Sequence, residues 1–315
     1  PRRDETRTGF LTGRSATSMR IGFIGLGIMG RPMAKNLITA GHELVVDEHR
    51  EETTAELTAA GAQRGGRPDE IARQVDLVIT MLPNSPDVRE VALGANGIIN
   101  GAHRGLVYVD MSSIAPLVSR EVAGALAHEG IAMLDAPVSG GEPKAIEGTL
   151  SIMVGGDRAV FDQVRDVLAA MGSSVVHVGD IGAGNIAKLA NQVVVVLNIA
   201  AVAEAFVLAE KAGVRPDSVL EAIRGGLAGS TVLEAKAPMM LAHDFTPGFR
   251  IDLHVKDLLN ALDTSHDVGV PLPLTAAVLE MMTALKAAGH GRDDHSGLLR
   301  HYETLASTRI GDSPP

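Results

Sequence analysis

Residues 182–211 read GAGNIAKLANQVVVVLNIAAVAEAFVLAEK, and the reading of this stretch decides the fold. It predicts one helix of roughly eight turns at about 3.6 residues per turn. Apolar side chains occupy every face between Ile186 and Leu208, so the expectation is a helix buried all round. Only fifteen uncharged residues separate Lys188 from Glu204, short of the roughly twenty that a bilayer span requires, and Asn191, Gln192 and Asn198 interrupt the run. The stretch is therefore expected to be a core helix, with no membrane as partner. Lys188 sits near its start, with Asn191 and Gln192 three and four positions later on the same face. Taken alone, Lys188 reads either as an end-of-helix side chain snorkelling to water or as a proton donor beside two amides that orient a polar ligand.

Upstream of this helix the pattern is different. Arg20–Ile24 is a short apolar strand, followed by Gly25-Leu26-Gly27-Ile28-Met29-Gly30 and a helical pattern from Pro32 to Ala40. A GxGxxG between a strand and a helix has a mechanism: Gly25 permits a tight turn, Gly27 lets a pyrophosphate approach the backbone, and Gly30 lets helix and strand pack closely. The second strand, Glu43–Val46, ends in Asp47-Glu48, where an acid that accepts hydrogen bonds from a ribose belongs. Glu48 is preferred over Asp47 for that role. A carboxylate there favours NAD(H), while Arg50 keeps NADP(H) open, because a guanidinium could take a 2′-phosphate.

Alternation then continues: a helix near 53–60, a strand 75–81, a helix 86–93, a strand 106–110, a helix 116–129, a strand 131–134, a strand 151–155, a helix 157–171 and a strand 175–178. Strands separated by helical patterns of this length make a doubly wound parallel sheet of the Rossmann type. Ligands bind beyond the carboxyl ends of such strands, which singles out Met81-Leu82-Pro83, Ser112-Ser113 and Ser139-Gly140-Gly141. Consecutive glycines after Ser139 expose backbone N–H groups able to hold a small carboxylate. Past Asp180 only helical patterns follow, at 216–224, 231–240, 253–268 and 273–288. The expected organisation is an N-terminal extension 1–18, with Met19 as the natural start, an NAD-binding domain 19–180 and an all-helical substrate and oligomerisation domain 181–312. The long interdomain helix would bring Lys188 against the sheet's carboxyl edge.

Composition narrows the function classes. A chain of 315 residues is long enough for two cores. Its net charge of −10 argues against nucleic acid or an anionic membrane as partner. The absence of cysteine excludes disulfides and thiolate chemistry, with the cytoplasm as the default compartment. The eleven histidines show no metal-ligand spacing, so no metal is expected. His254 and Lys256-Asp257 share one helix start, the methionines fall on core faces, and 225–230, GGLAGS, reads as a hinge.

Four phrases together resemble the β-hydroxyacid dehydrogenase family: GFIGLGIMGRPMAKNL, DAPVSGGEPKAIEGTLSIMVGG, GAGNIAKLANQ and RIDLHVKDL, spread in order from Met19 to about Tyr302. That resemblance implies that Lys188 is catalytic, that Ser139, Gly140 and Gly141 hold the substrate carboxylate, and that Ser113 and Lys256 lie near the nicotinamide half. Many family members carry asparagine four residues after the lysine, whereas this chain has Gln192 there and Asn191 one residue earlier. The further phrases ITMLPNSPDV, DMSSIAPL, RGGLAGSTVLEAKAPM and NALDTSH resemble members that reduce tartronate semialdehyde (2-hydroxy-3-oxopropanoate) to glycerate. The implied partners are a small carboxylate-bearing aldehyde and further copies of the chain, as a homodimer or homotetramer. 3-Hydroxyisobutyrate oxidation, or reduction of glyoxylate or succinic semialdehyde, is the alternative chemistry, and a catalytically silent dinucleotide-binding module is the alternative of a different class.

Overall fold

The computed structural model describes residues 19–49 and 51–311; Arg50, the expected extension 1–18 and residue 312 lie outside them. Six parallel strands open the chain: β1 (Arg20–Ile24), β2 (Glu43–Asp47), β3 (Gln63–Gly66), β4 (Leu77–Thr80), β5 (Val107–Asp110) and β6 (Ala132–Asp135). Their spatial order is 3-2-1-4-5-6, the doubly wound order that reverses beside β1. The helices between them are α1 (Gly30–Thr39), α2 (Glu51–Ala59), α3 (Pro68–Ala72), α4 (Ser85–Leu93) and α5 (Pro116–His128).

Alternation of side chains explains why both faces are covered. Leu77, Ile79, Val107 and Val109 point to one layer with Met33 and Leu37 of α1. Val78 and Tyr108 point to the other, with Ile71 of α3, Val88 of α4 and Val118 and Val122 of α5. A strand buried on both faces must be apolar throughout, as β4 and β5 are apart from their terminal Thr80 and Asp110.

The far edge departs from the expected parallel sheet. After β6 come β7 (Val138–Ser139), α6 (Gly141–Glu147), β8 (Leu150–Gly156), α7 (Arg158–Ala169) and β9 (Gly172–Gly179). Strand β8 runs antiparallel to β6 and β7, while β9 is parallel to β8. The connection from β6 through β7 and α6 returns the chain along the same edge without a full crossover, so the direction reverses. Three elements had no legible signal: β3, whose QRGG has no apolar residue, and the short helices α3 and α6.

Helix α8 (Ala183–Lys211) follows, then α9 (Pro216–Ile223), α10 (Thr231–Ala242), α11 (Ile251–Asp267), α12 (Pro273–Leu285) and α13 (Leu299–Ala306), the last not anticipated from sequence. Val196, Ile199, Ala203 and Phe206 of α8 form the centre of a core with Leu233 and Met240, Val255 and Leu258, Leu279 and Met282, and Leu299. Burial of α8 is not all round, however. Ile186, Val194 and Leu208 are 41%, 59% and 72% exposed, because the helical region covers one side of α8 and leaves this stripe bare. The glycine-rich 225–230 connector ends in Ser230, whose hydroxyl accepts from Leu233 N and caps α10.

Candidate active site

The site is built where α8 starts on the sheet. Asp135, wholly buried at the end of β6, accepts hydrogen bonds from Gly182 N and Asn185 N at 2.7 Å each. A carboxylate at this position satisfies backbone donors that a helix start otherwise leaves orphaned. Gly184 makes the close approach possible, since a Cβ there would lie 2.5 Å from both Asp135 O and Met153 O. Asn185 adds a second anchor: its Oδ1 accepts from Ile114 N and its Nδ2 donates to Ser119 Oγ, both at 3.1 Å.

Lys188 lies one turn further and is 6% exposed. Burial pulls its ammonium down from 10.5 to about 8, with the charge of Asp257 opposing and that of Lys256 assisting. Among the described residues no hydrogen bond or ion pair reaches its Nζ. Such a group, charged at neutral pH and uncommitted, is available to a ligand.

The two amides next to it are not equivalent. Gln192 is buried and spends its side chain inside the protein, accepting from Asn191 Nδ2 at 3.0 Å and donating to Asp257 Oδ2 at 2.7 Å. Asn191 is half-buried, and its Oδ1 lies 3.5 Å from Ser139 Oγ. The structure thus brings Asn191 together with Ser139 and Gln192 together with Asp257. Gly140 and Gly141 follow at φ values of +140° and +70°, conformations that only glycine adopts readily. A Cβ on Gly140 would also meet the Lys144 side chain at 2.7 Å.

The glycine turn between β1 and α1 fits a pyrophosphate. Gly25 has a φ of +98°, and a Cβ there would sit 2.3 Å from Met81 O; on Gly30 it would sit 2.0 Å from Gly25 O. At Gly27 nothing lies within 4 Å of that position, so the turn is open on the face where an anion would rest. No side chain caps α1, and its first turn has no acid, leaving its N–H donors for a phosphate. Leu26 is buried in the sheet core, Met29 packs against it, and Ile28 stands exposed at the tip, so this run can offer mainly backbone.

Of the two candidate acids, Asp47 is buried and already used: its Oδ2 accepts from Gly25 N at 2.5 Å and its Oδ1 from His49 N at 3.1 Å. Glu48 is exposed, 3.8 Å from Arg64, which pairs mainly with Glu51. The Met81–Pro83 and Ser112–Ser113 loops are joined through Leu82 N, which donates to Ser112 Oγ at 2.8 Å. Ser112 Oγ in turn donates to Asp110 Oδ1 at 2.5 Å, and burial raises that carboxyl to about 6. Lys256, on α11, donates to Pro83 O at 2.9 Å and Ser113 O at 2.7 Å, tying the helical region to both loops.

Three residues of the site escaped sequence reasoning: Asp110, Asp135 and Asn185; Asp257 was noted beside Lys256 at a helix start, without its link to Gln192. The only available signal was that Asp110 and Asp135 each end a strand, and they prove to be partners in register on β5 and β6.

A glycine turn fitted to a pyrophosphate on a doubly wound sheet, in a chain whose long helix starts on that sheet with a buried lysine, points to an NAD(P)-dependent dehydrogenase. Residues 20–179 match the family model described as the NAD binding domain of 6-phosphogluconate dehydrogenase, and residues 182–302 match NAD-binding of NADP-dependent 3-hydroxyisobutyrate dehydrogenase. The chain belongs to the β-hydroxyacid dehydrogenase family. It is 43% identical over 292 residues to 2-hydroxy-3-oxopropionate reductase of Escherichia coli K12, covering 93% of this chain and all of that one. It is 39% identical to 2-(hydroxymethyl)glutarate dehydrogenase of Eubacterium barkeri, covering 93% and 98%. Among solved structures, Mycobacterium tuberculosis 3-hydroxyisobutyrate dehydrogenase with L-serine is similar at a TM-score of 0.84 and 33% identity, covering 91% of this chain and 99% of that one.

Proposed function

We propose that the protein reduces tartronate semialdehyde to glycerate with NADH. The observation that carries the proposal is Lys188: buried, without a protein partner, and one turn from an asparagine that faces the Ser139-Gly140-Gly141 loop. A nicotinamide cofactor, when bound, supplies the hydride. Gly25–Gly30 would hold its pyrophosphate, Glu48 its adenosine ribose, and Met81–Pro83, Ser113 and Lys256 would border the remainder. The N–H groups of Gly140 and Gly141 and the Ser139 hydroxyl hold the substrate carboxylate, with Asn191 beside them and Gln192 supporting from behind. Lys188 donates a proton to the carbonyl oxygen as negative charge develops there. With its pKa near 8, it is protonated about ten to one at pH 7, which favours reduction.

The exposed position of Glu48 supports NAD(H), since a carboxylate there repels a 2′-phosphate. Residues 19–180 form the cofactor domain and 181–312 the substrate and oligomerisation domain in this reading. The bare stripe of Ile186, Val194 and Leu208 is the face a second copy would cover. The 43% relative supports tartronate semialdehyde over 3-hydroxyisobutyrate. Initial rates of NADH and NADPH oxidation with tartronate semialdehyde, methylmalonate semialdehyde, succinic semialdehyde and glyoxylate test the proposal. Tartronate semialdehyde should lead in kcat/KM by at least about tenfold; a clear preference for another aldehyde refutes the substrate assignment.

A further inference from the structure

A second lysine stands half-buried in the helical region. Lys236, on α10, donates to both oxygens of the wholly buried Asp294 at 3.0 Å each. Asp294 Oδ2 also accepts from Gly248 N at 2.9 Å and Phe249 N at 3.0 Å, and its Oδ1 from Ser296 N at 3.0 Å. The segment 246–250 between α10 and α11 is thereby strapped down. It lies across from the carboxylate loop: a Cβ built on Gly141 would have Gly248 O as a neighbour at 3.9 Å. From there the connection continues to the catalytic helix. The Phe249 ring meets His254 and His295 edge-on at 5.5 and 5.4 Å. His254 joins His295 through their Nδ1 atoms at 2.9 Å and reaches the Gln192 carbonyl at 3.3 Å.

The hydrogen-bond inventory gives this chain one direction. A carbonyl only accepts, so His254 Nε2 carries the proton; His254 Nδ1 must then accept from His295 Nδ1. His295 Nε2 is left bare and without a partner, 4.0 Å from Asp294 Oδ1. An imidazole lone pair facing a carboxylate is tolerable only while a cation neutralises that carboxylate, and Lys236 is the cation in contact.

We infer that Lys236 is a positioning residue for substrate: through Asp294 it fixes Gly248–Phe249 as the helical-side wall of the pocket whose opposite wall is Ser139–Gly141. The inference rests on the reading of Ser139–Gly141 as the carboxylate site. Lys236 lies on the far side of Gly248, since a Cβ on Gly248 would point at Asp294 Oδ2 and Lys236 Nζ at 3.6 and 3.9 Å. It therefore acts without touching substrate, and the glycine loop of the cofactor does not depend on it.

The test uses the full chain with tartronate semialdehyde as probe. Lys236→Met should raise the KM for the aldehyde at least tenfold, with kcat within threefold and the NADH dissociation constant unchanged. Lys236→Arg, which keeps a bidentate charge-assisted pair, should restore KM to within threefold of the parent. Lys236→Met/Asp294→Asn removes the uncompensated charge and serves if the single variant fails to fold; it should show the same KM rise, because the strap has lost its cation. An unchanged KM in either folded variant overturns the inference, as does a parallel loss of kcat, KM and NADH binding. Ser139→Ala, measured alongside, separates the two readings: if it leaves KM unchanged, the carboxylate site itself is wrong, whereas a KM rise in Ser139→Ala without one in Lys236→Met refutes only the role of Lys236.

Discussion

On the proposed role of Lys188 as proton donor, raising the pH through 8 should switch off aldehyde reduction and switch on oxidation of the hydroxy acid. Burial lowers that group from 10.5 to about 8, and at roughly 1.4 kcal/mol per unit this is about 3 kcal/mol of desolvation that Asp257 does not return. With NADH saturating, kcat/KM for the aldehyde should be level up to about pH 7.5 and then fall nearly tenfold per unit. At about pH 10 it would be roughly a hundredfold down, where an ordinary lysine with pKa ~10.4 would have lost only about a third. The reverse reaction should rise over the same interval. Asp257→Asn removes the charge that holds the ammonium up, so its break should move to lower pH. The assay is the initial rate of NADH oxidation or formation across pH 6 to 10.5, roughly, with thermal unfolding checked at each pH. A reduction profile level to about pH 9.5, or a break that moves upward in Asp257→Asn, would refute the reasoning.

Further outcomes follow from individual contacts. Lys188→Met should lose on the order of 10²–10⁴-fold in turnover while still binding NADH in a fluorescence titration. The same variant should be more stable by up to about 3 kcal/mol at neutral pH. The sign is set by linkage: the unfolded lysine keeps its proton to about 10.4 and the folded one to about 8, so the gain is full below 8 and vanishes as pH rises past 10.4; urea titrations at two pH values read it. Asp135→Ala leaves Gly182 N and Asn185 N without their acceptor, and at ~1–3 kcal/mol per orphaned buried group urea unfolding should show a loss of about 2–6 kcal/mol. Gly25→Ala, at a φ of +98° and 2.3 Å from Met81 O, should destabilise the fold. Gly27→Val should unfold like the parent, since open space surrounds Gly27, yet bind NADH at least tenfold more weakly by calorimetry. Glu48→Ser should narrow the NADH-over-NADPH preference in kcat/KM by about tenfold or more; an unchanged ratio assigns the ribose to another group.

Much of the fold was legible because it depends on local patterning. Apolar strand runs, the GxGxxG between β1 and α1 and the switch to helices after Asp180 each report backbone geometry through nearby residues. What patterning could not show was direction and partnership. The reversal at β8 follows from how β7 and α6 return along the sheet edge, and no residue in LSIMVGG encodes it. Continuous hydrophobicity of α8 marked it as a core helix, but hydrophobicity is silent on which neighbours are present, and one stripe proved bare.

Lys188 shows the same division within the site. Sequence by itself determined a helix start with a lysine and two amides on one face, since helical spacing puts them there. Only the tertiary structure decided which neighbours each meets. Asn191 and Gln192 differ by one position, about 100° of helix rotation, and that rotation sends Gln192 to Asp257 and Asn191 to Ser139. Asp135, which anchors the helix start, and Asp257, whose charge acts on the lysine, lie fifty-three and sixty-nine residues from Lys188 in sequence, and burial, which lowers the lysine's pKa, is a property of everything packed around it. Residue types are local and survive in the sequence; electrostatic environment is a sum over neighbours, and it exists only once the chain has folded.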